Sequence, residues 1–279
     1  MLNRVVAVTG SNRGIGLALV KRLAAGEAGT SHVVLCSRDM KKGLEARDSL
    51  GKVKAEVDVV ELDMDSEESM DAFCDGLKNK YTVIHALVNN AGIMVTEENT
   101  PKVEIMDRTI ETNLFGPISL TDRILDAHLI EEKGKLLFVS STLAISNFIR
   151  DEKLKKLLET IGSSQDINTA YLHTINLIKE RKFDDVFVPR FPYSEYALSK
   201  LLLSKYAKLL SIDSRLSDRG IFTASLCPGW CRTDMGGSMA TNSVESGTDV
   251  LVDLLASDYR LDSSLHGRLV TKIGYGMSV

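Results

Sequence analysis

The stretch VVAVTGSNRGIGLALVKRLAA, residues 5–25, combines three patterns in a fixed order. A short run of β-branched residues predicts a buried strand, and the amphipathic run that follows predicts a helix. Gly10, Gly14 and Gly16 lie between the two. A glycine triplet alone is weak evidence, but placed between a strand and a helix it predicts the tight turn of a βα unit. Further βα units are therefore expected along the rest of the chain.

Short apolar runs and longer helical patterns alternate along almost the whole sequence. Continuous apolar strands separated by helices are typical of a parallel sheet covered on both faces. The pattern predicts an α/β fold: a Rossmann-type, doubly wound parallel sheet of about seven strands, in one domain spanning residues 1–279. The predicted strands are 5–9, 32–37, 56–62, 84–90, 135–140, 221–227 and 267–272, and the predicted helices are 15–25, 40–50, 66–79, 101–130, 194–215 and 243–256.

About fifty residues separate the predicted strand 135–140 from the helix at 194–215, whereas a βα loop usually has about 2–6. We predict a helical insertion over residues 146–192. RDEKLKKLLET (150–160) and TAYLHTINLIKERK (169–182) have helical periodicity, and FVPRFPY (187–193) has two prolines that favour an extended chain. The insertion could be a surface decoration. We favour a subdomain beside the active site, because βα loops surround the ligand crevice of such sheets.

The composition restricts the class of function. The net charge is −4 and 44% of the residues are hydrophobic, so neither nucleic acid nor an anionic membrane is an expected partner. There is no apolar run of about 18 residues and no secretory layout at the N-terminus, and we expect a cytoplasmic protein. The four cysteines and five histidines lack the spacing of a zinc or redox site, so we expect free thiols and no metal.

The glycine turn predicts a phosphate-binding site. Gly10 permits the tight turn, Gly14 allows the backbone to approach a pyrophosphate, and Gly16 allows close packing of helix on strand. The unpaired N–H groups and the dipole of the helix N-terminus would bind the pyrophosphate. The sequence therefore predicts a dinucleotide coenzyme.

Residues at the end of the second predicted strand indicate which dinucleotide binds. Ser37 occupies the position where an acidic residue would bind the ribose 2′-hydroxyl of NAD, and Arg38 follows it. Arg13 in the glycine turn is expected on the same side of the pocket. Two guanidinium groups suit a 2′-phosphate, so we predict NADP(H). Asp39 would oppose a phosphate, but we expect it to be the N-cap of the next helix.

Five separated motifs together resemble those of the short-chain dehydrogenase/reductases, and the resemblance extends from residue 3 to about 272. They are TGSNRGIG (9–16), NNAG (89–92), Asn113, VSS (139–141) and Tyr196-x-x-x-Lys200. The long segment before Tyr196 and CPGWCRTDM (227–235) are most similar to the carbonyl reductase branch. That resemblance implies a monomeric, NADPH-dependent enzyme that reduces ketones, aldehydes or quinones.

The resemblance also implies a role for individual residues. Tyr196 would be the proton donor, and Ser141 would bind the substrate oxygen. Lys200 would bind the nicotinamide ribose and lower the pKa of Tyr196, while Asn113 would hold a water in the proton relay. Ser140 is the alternative to Ser141.

The implied coenzyme site is larger than the glycine turn. Asp63 would contact adenine, Asn90 would line the groove and Thr233 would contact the carboxamide. Trp230 and the insertion would line an apolar substrate pocket, although Trp230 could equally be a packing residue at its rim. The complete set of expected coenzyme contacts is Gly10, Ser11, Asn12, Arg13, Gly14, Ile15, Gly16, Ser37, Arg38, Asp63, Met64, Asn90, Ala91, Gly92, Tyr196, Lys200, Pro228, Gly229, Cys231 and Thr233.

The chemistry of the Tyr196/Lys200 pair is consistent with these roles. Reduction of a carbonyl needs a proton on oxygen, and a free tyrosine with a pKa of about 10 is a poor donor at neutral pH. A nearby lysine ammonium favours phenolate and would lower that pKa. The alternatives are a solvated Tyr/Lys helix face, an NADP-dependent alcohol dehydrogenase of a steroid- or prostaglandin-like substrate, and a non-catalytic NADPH-sensing protein on the same fold.

Overall fold

The computed structural model describes residues 4–96, 100–180, 183–188, 193–272 and 275–277. Its strands are β1 (Val5–Val8), β2 (His32–Ser37), β3 (Glu56–Glu61), β4 (Ile84–Asn89), β5 (Ile130–Val139), β6 (Phe222–Leu226), β7 (Leu269–Lys272) and β8 (Tyr275–Met277). Its helices are α1 (Gly14–Ala24), α2 (Met40–Asp48), α3 (Glu67–Tyr81), α4 (Lys102–Ile110), α5 (Gly116–Asp126), α6 (Glu152–Glu159), α7 (Ser164–Glu180), α8 (Phe183–Val186), α9 (Ser194–Leu210), α10 (Ser214–Ser217), α11 (Val244–Gly247) and α12 (Asp249–Ala256).

The strands of the described ranges form one sheet in the order β3-β2-β1-β4-β5-β6-β7-β8. The first seven strands pair in parallel, which confirms the predicted doubly wound sheet. β8 pairs antiparallel with β7 and was not predicted, because three residues are too few to reveal a strand period. The strand order reverses between β1 and β4, and such a reversal opens a ligand crevice at the carboxyl ends of the strands.

Alternate residues of β1 enter two different hydrophobic cores. Val5 and Ala7 pack in the core that includes residues of α3, α5 and α9. Val6 and Val8 pack on the other face, with residues of α1 and α12. Side chains of a strand point to opposite faces in turn, so a strand buried on both sides must be apolar throughout. This is the reason that β1 reads as an uninterrupted apolar run.

The insertion is helical, as predicted, and it is packed into one of these cores. Leu154 and Leu158 of α6 and Ile167 and Ile175 of α7 are buried there. α7 packs against α4 and α9, and Phe187 forms an antiparallel bridge with Ile149. Of the segment predicted to be extended, residues 189–192 lie outside the described residues. The insertion therefore covers the outer side of α9 rather than standing apart from the sheet.

The helix predicted over 101–130 is confirmed from Lys102 to Asp126, although a π turn at Glu111–Phe115 divides it into α4 and α5 and Ile130 already belongs to β5. Gly116 then begins α5 against the chain after β3, where an added Cβ would lie 2.5 Å from the carbonyl oxygen of Met64. Two other helices are shorter than predicted: α9 ends at Leu210, and the predicted helix 243–256 is divided at Thr248. No helix in the described residues is long and apolar enough to cross a membrane.

Candidate active site

The glycine turn after β1 has the backbone that its sequence predicts. Gly10 and Gly14 have φ values of +59° and +56°, a region that side chains with a Cβ rarely adopt. A Cβ on Gly16 would lie 2.6 Å from Asn90 Nδ2 and 2.7 Å from Ser11 Cα. Each glycine is thus required, two by conformation and one by close packing.

The end of β4 is joined to this turn by side-chain hydrogen bonds. Asn90 Nδ2 donates to the carbonyl oxygens of Thr9 and Gly10, at 2.8 and 3.1 Å. Thr9 Oγ1 accepts from the N–H groups of Asn90 and Ala91. Asn90 therefore holds the end of β4 against the glycine turn, and its contact with a coenzyme stays a prediction. Thr9 was not expected to contribute, since a threonine at the end of a strand gives no separate signal.

The N-terminus of α1 offers donors to an anion. The hydrogen bond from Leu17 N–H to the Arg13 carbonyl opens the helix, so the N–H groups of Gly14, Ile15 and Gly16 precede its first full turn. The donors of Ser11 already have partners within the protein. Its hydroxyl donates to the Val8 carbonyl, and its N–H donates to the Cys36 carbonyl. A helix N-terminus beside two left-handed glycines fits the pyrophosphate of a dinucleotide.

The residues at the end of β2 favour the binding of a phosphate. Ser37 Oγ donates to the carbonyl oxygen of Asp39 at 2.8 Å, and the Asp39 carboxylate accepts from Lys42 N–H as the N-cap of α2. The predicted capping role of Asp39 is confirmed. Arg38 is exposed and has no hydrogen-bond or ion-pair partner within the described ranges, so its guanidinium is available to an anion.

Arg13 has a partner that the sequence did not predict. Its Nη1 lies 2.9 Å from Asp234 Oδ2, in the loop after β6, and the two side chains are 69% and 78% exposed. An ion pair this exposed contributes about 0–1 kcal/mol. The guanidinium of Arg13 can therefore exchange Asp234 for a phosphate at small cost.

The chain directly after β3 contains the two residues expected to contact adenine, Asp63 and Met64. The Asp63 carboxylate accepts from Asp65 N–H at 3.1 Å, and the Asp63 N–H donates to Ser69 Oγ. Met64 is buried against Gly116. Both residues lie just past the carboxyl end of β3, where the adenine contact is expected.

Ser140 and Ser141 are distinguished by their hydrogen bonds. Ser140 is buried, its hydroxyl donates to the Lys200 carbonyl at 3.0 Å, and it shares a 2.7 Å hydrogen bond with Ser204 Oγ. Ser141 Oγ accepts from Leu143 N–H, and its own proton has no acceptor among the residues that the structure describes. Of the two serines, only Ser141 has a hydroxyl proton without an acceptor in the described residues, which favours the sequence assignment.

Tyr196 and Lys200 lie one turn apart on α9. Lys200 is buried and its Nζ is 5.6 Å from the centre of the Tyr196 ring. One N–H of this ammonium donates to the Val139 carbonyl at 2.9 Å, and no other protein acceptor for it lies in the described part of the chain. Two donors thus remain for a ribose or a water.

The pKa of Tyr196 departs from the expectation. Burial raises the pKa of the phenol above its usual value, and the nearby Cys227 acts in the same direction. Burial also lowers the pKa of Lys200 to about 8. Loss of hydration is thus the main cause of both pKa shifts in the protein alone. The phenol stays protonated at neutral pH, which is the form that can donate.

Asn113 lies in the π turn and connects the groove to α9. Its Oδ1 accepts from Ile93 N–H at 2.7 Å, and its Nδ2 donates to the Ile93 carbonyl and to Ser199 Oγ. Ser199 Oγ in turn donates to the carbonyl of Tyr196. The Asn113 side chain is thus committed to protein partners, and its expected water-binding role stays a prediction. Ser199, which links Asn113 to the backbone of Tyr196, was not predicted from the sequence.

Gly92 brings two of these groups together. A Cβ added to Gly92 would lie 3.2 Å from Asn113 Oδ1 and 3.3 Å from Lys200 Nζ. The glycine of NNAG therefore leaves open the space beside the ammonium, where a coenzyme ribose is expected. Asn113, Gly92 and Lys200 converge although they are far apart in sequence.

The loop after β6 covers the glycine turn. Thr233 lies over Gly14, where an added Cβ would be 3.4 Å from Thr233 Cγ2. Pro228 and Gly229 lead into this loop, and the buried Cys231 thiol donates to their carbonyl oxygens. The Cys231 side chain therefore faces the interior of the loop, so any coenzyme contact would have to come from its backbone.

Trp230 occupies the rim of this loop. Its side chain is 54% exposed, and its Nε1 donates to the Gly236 carbonyl at 2.8 Å. This exposure matches the alternative of a rim residue as well as that of a pocket wall. All four cysteines are buried and unpaired, and no three His, Cys, Asp or Glu side chains of the described residues cluster as metal ligands would.

The two serines predict different effects of substitution. Ser140→Ala removes two buried hydrogen bonds and should lower the free energy of unfolding by about 1–2 kcal/mol. Ser141→Ala should change it by less than about 0.5 kcal/mol. Urea denaturation of both variants measures this, and a larger loss for Ser141→Ala would show that its hydroxyl, not that of Ser140, is built into the fold.

Comparison with known proteins agrees with the family resemblance that the sequence motifs indicate. A family model described as short chain dehydrogenase matches residues 4–151. Carbonyl reductase [NADPH] 1 of Bos taurus is 33% identical over 265 residues, which cover 92% of each chain. Salutaridine reductase from Papaver somniferum has a similar structure, with a TM-score of 0.81 and 22% identity, over 96% of this chain and 99% of that one.

A second solved structure, NADPH-bound carbonyl reductase from chicken fatty liver, has a TM-score of 0.72 and 23% identity, over 99% of this chain and 94% of that one. At these identities the two structures show the fold alone. The family model and the bovine relative cover enough of the sequence to show the family. The chain therefore belongs to the short-chain dehydrogenase/reductase family, the family that its motifs resemble.

Proposed function

We propose that the protein is an NADPH-dependent carbonyl reductase that acts on a ketone, aldehyde or quinone, with Tyr196 as the proton donor. The observation that carries the proposal is the convergence of Lys200, Asn113 and Gly92 beside Tyr196, at the end of the groove that begins at the glycine turn. The curated relatives described as NADPH carbonyl reductases support it.

The residues of the groove fit NADP(H). The N-terminus of α1 would bind the pyrophosphate, Arg38 and Arg13 the 2′-phosphate, and Lys200 the nicotinamide ribose. Thr233 would contact the carboxamide from above Gly14. When bound, NADPH supplies a hydride to the carbonyl carbon. The oxygen of the substrate must then take its proton from the protein.

Ser141 and Tyr196 share the work at the substrate oxygen. The free hydroxyl of Ser141 donates a hydrogen bond, which stabilises negative charge as it develops on that oxygen. Tyr196 gives up its proton, and the Lys200 ammonium is the charge that stabilises the phenolate left behind. Because burial raises the pKa of Tyr196 in the protein alone, the phenol is protonated before the reaction.

The proposed substrate is a hydrophobic carbonyl compound. The insertion packs against α4 and α9 and so borders the Tyr196 side of the crevice. Trp230 and Met235 add exposed apolar surface on the loop that covers the glycine turn. Apolar walls with a few polar groups are typical of small-molecule sites.

Substituting the proton donor tests the function. Tyr196→Phe should lower kcat for carbonyl reduction by at least about 100-fold, the scale of a general acid, and should leave NADPH binding within about twofold. Tyr193→Phe is the matched control, because Tyr193 is half exposed and has no lysine one turn later. The assay is NADPH absorbance with a panel of quinones, aldehydes and ketones. Retained activity in Tyr196→Phe would contradict the assignment, and NADPH binding without turnover in the natural chain would favour a sensor.

The coenzyme preference has its own test. Arg38→Ala should weaken NADPH binding by about 10-fold or more and NADH binding by less than about twofold, because only NADPH carries the 2′-phosphate. Arg47→Ala, which removes an exposed arginine paired with Asp48 on α2, is the control. Binding is measured by titration calorimetry. An equal loss for both coenzymes would contradict the phosphate assignment.

We also propose that the protein is monomeric and cytoplasmic. α7 packs against α4 and α9, with α6 packed against α7, and so covers a surface through which related folds could otherwise pair. Light scattering should give a mass close to the 30.6 kDa of one chain. A stable tetramer would contradict this proposal, and the cytoplasmic location stays a prediction of the sequence.

A further inference from the structure

Glu195, the residue before Tyr196, carries a buried carboxylate. The residue is 6% exposed and lies in the first turn of α9. A carboxylate removed from water is costly unless a cation or several donors compensate it. Lys102 Nζ lies 2.9 Å from Glu195 Oε1 and supplies that compensation.

Lys102 is placed where it does not favour its own helix. It is the first residue of α4, and the dipole of a helix disfavours a cation at the N-terminus. Its Nζ also lies 5.0 Å from the centre of the Phe183 ring, in α8 of the insertion, which is within range of a cation–π contact. One ammonium therefore contacts both the tyrosine helix and the insertion.

The residue before α9 has an unfavourable backbone conformation. Tyr193 precedes it with a φ of +60°, which is unfavourable for a residue with a Cβ, and its side chain does not cap the helix. The negative charge of Glu195 suits this helix end. Without Lys102, however, hydration would draw the carboxylate out of a site where its side chain is only 9% exposed. Tyr196, its neighbour in the same turn, would be displaced with it.

We propose that Lys102 is a positioning residue for the reaction: by pairing with the buried Glu195 it keeps the first turn of α9, and with it the hydroxyl of Tyr196, in the reactive arrangement. The proposal rests on the proposed function, since it takes Tyr196 as the proton donor. Lys102 acts here through the charge of Glu195. Neutralising Glu195 should therefore make Lys102 dispensable.

A charge-rescue series tests the proposal. Lys102→Met should lower kcat by at least about 10-fold, because small displacements of a reacting group are costly, while the Kd for NADPH stays within about twofold. Glu195→Gln should be nearly normal, since a neutral amide can remain buried. The double variant Lys102→Met/Glu195→Gln should recover to within about threefold of the natural chain. Lys155→Met, which breaks an exposed pair with Glu152 on α6, is the matched control and should have no effect.

Each outcome has a defined meaning. Natural kcat in Lys102→Met, or a double variant as impaired as Lys102→Met although circular dichroism shows it folded, overturns the proposal. If Lys102→Met does not fold, Glu195→Asp takes its place: the shorter carboxylate leaves Lys102 out of reach and must lower kcat with normal NADPH binding, and an unchanged kcat overturns the proposal. A natural chain that binds NADPH but reduces no carbonyl overturns the proposed function itself and this inference with it.

Discussion

The site depends on a reciprocal pair of hydrogen bonds between the end of β5 and α9. Lys200 Nζ donates to the Val139 carbonyl, and Ser140 Oγ donates to the Lys200 carbonyl. One bond uses the side chain of Lys200 and the other its backbone, so together they hold the middle of α9 beside the end of β5. Tyr196 lies one turn before Lys200 on this helix, and Ser141 directly follows Ser140 at the end of β5.

The same pair of hydrogen bonds explains why the two neighbouring serines have different partners. The Ser140 side chain points inward, where it bonds the Lys200 carbonyl and Ser204 Oγ. The side chain of the next residue, Ser141, therefore points the opposite way. The groove is held just as firmly at its other end, where Asn90 and Thr9 join β4 to the glycine turn. Two rigid supports, at the turn and at α9, thus fix both ends of the space in which a dinucleotide would lie.

Much of this arrangement could be predicted from the sequence, and for a common reason. The apolar runs of β1 and β4, the glycine triplet and the Tyr196/Lys200 spacing are local patterns, and each is interpretable within one element. The π turn at Glu111–Phe115 could not be predicted from helical periodicity, and the Gly116 that follows it packs against Met64, about fifty residues away. The Arg13–Asp234 and Lys102–Glu195 pairs join distant segments and leave no trace in spacing. The raised pKa of Tyr196 was missed because burial is a property of the folded chain.

The edges of the sheet also affect how the molecule behaves in a crowded solution. An edge strand exposes unpaired N–H and C=O groups that can pair with another chain, and short or charged edge strands resist this. In the described residues β8 gives one edge three residues, which pair antiparallel with β7. On the other edge β3 carries Glu56, Asp58 and Glu61, and Asp58 is bound to Lys80 of α3. Neither edge is a good template for extension, so the sheet is protected against growth into aggregates.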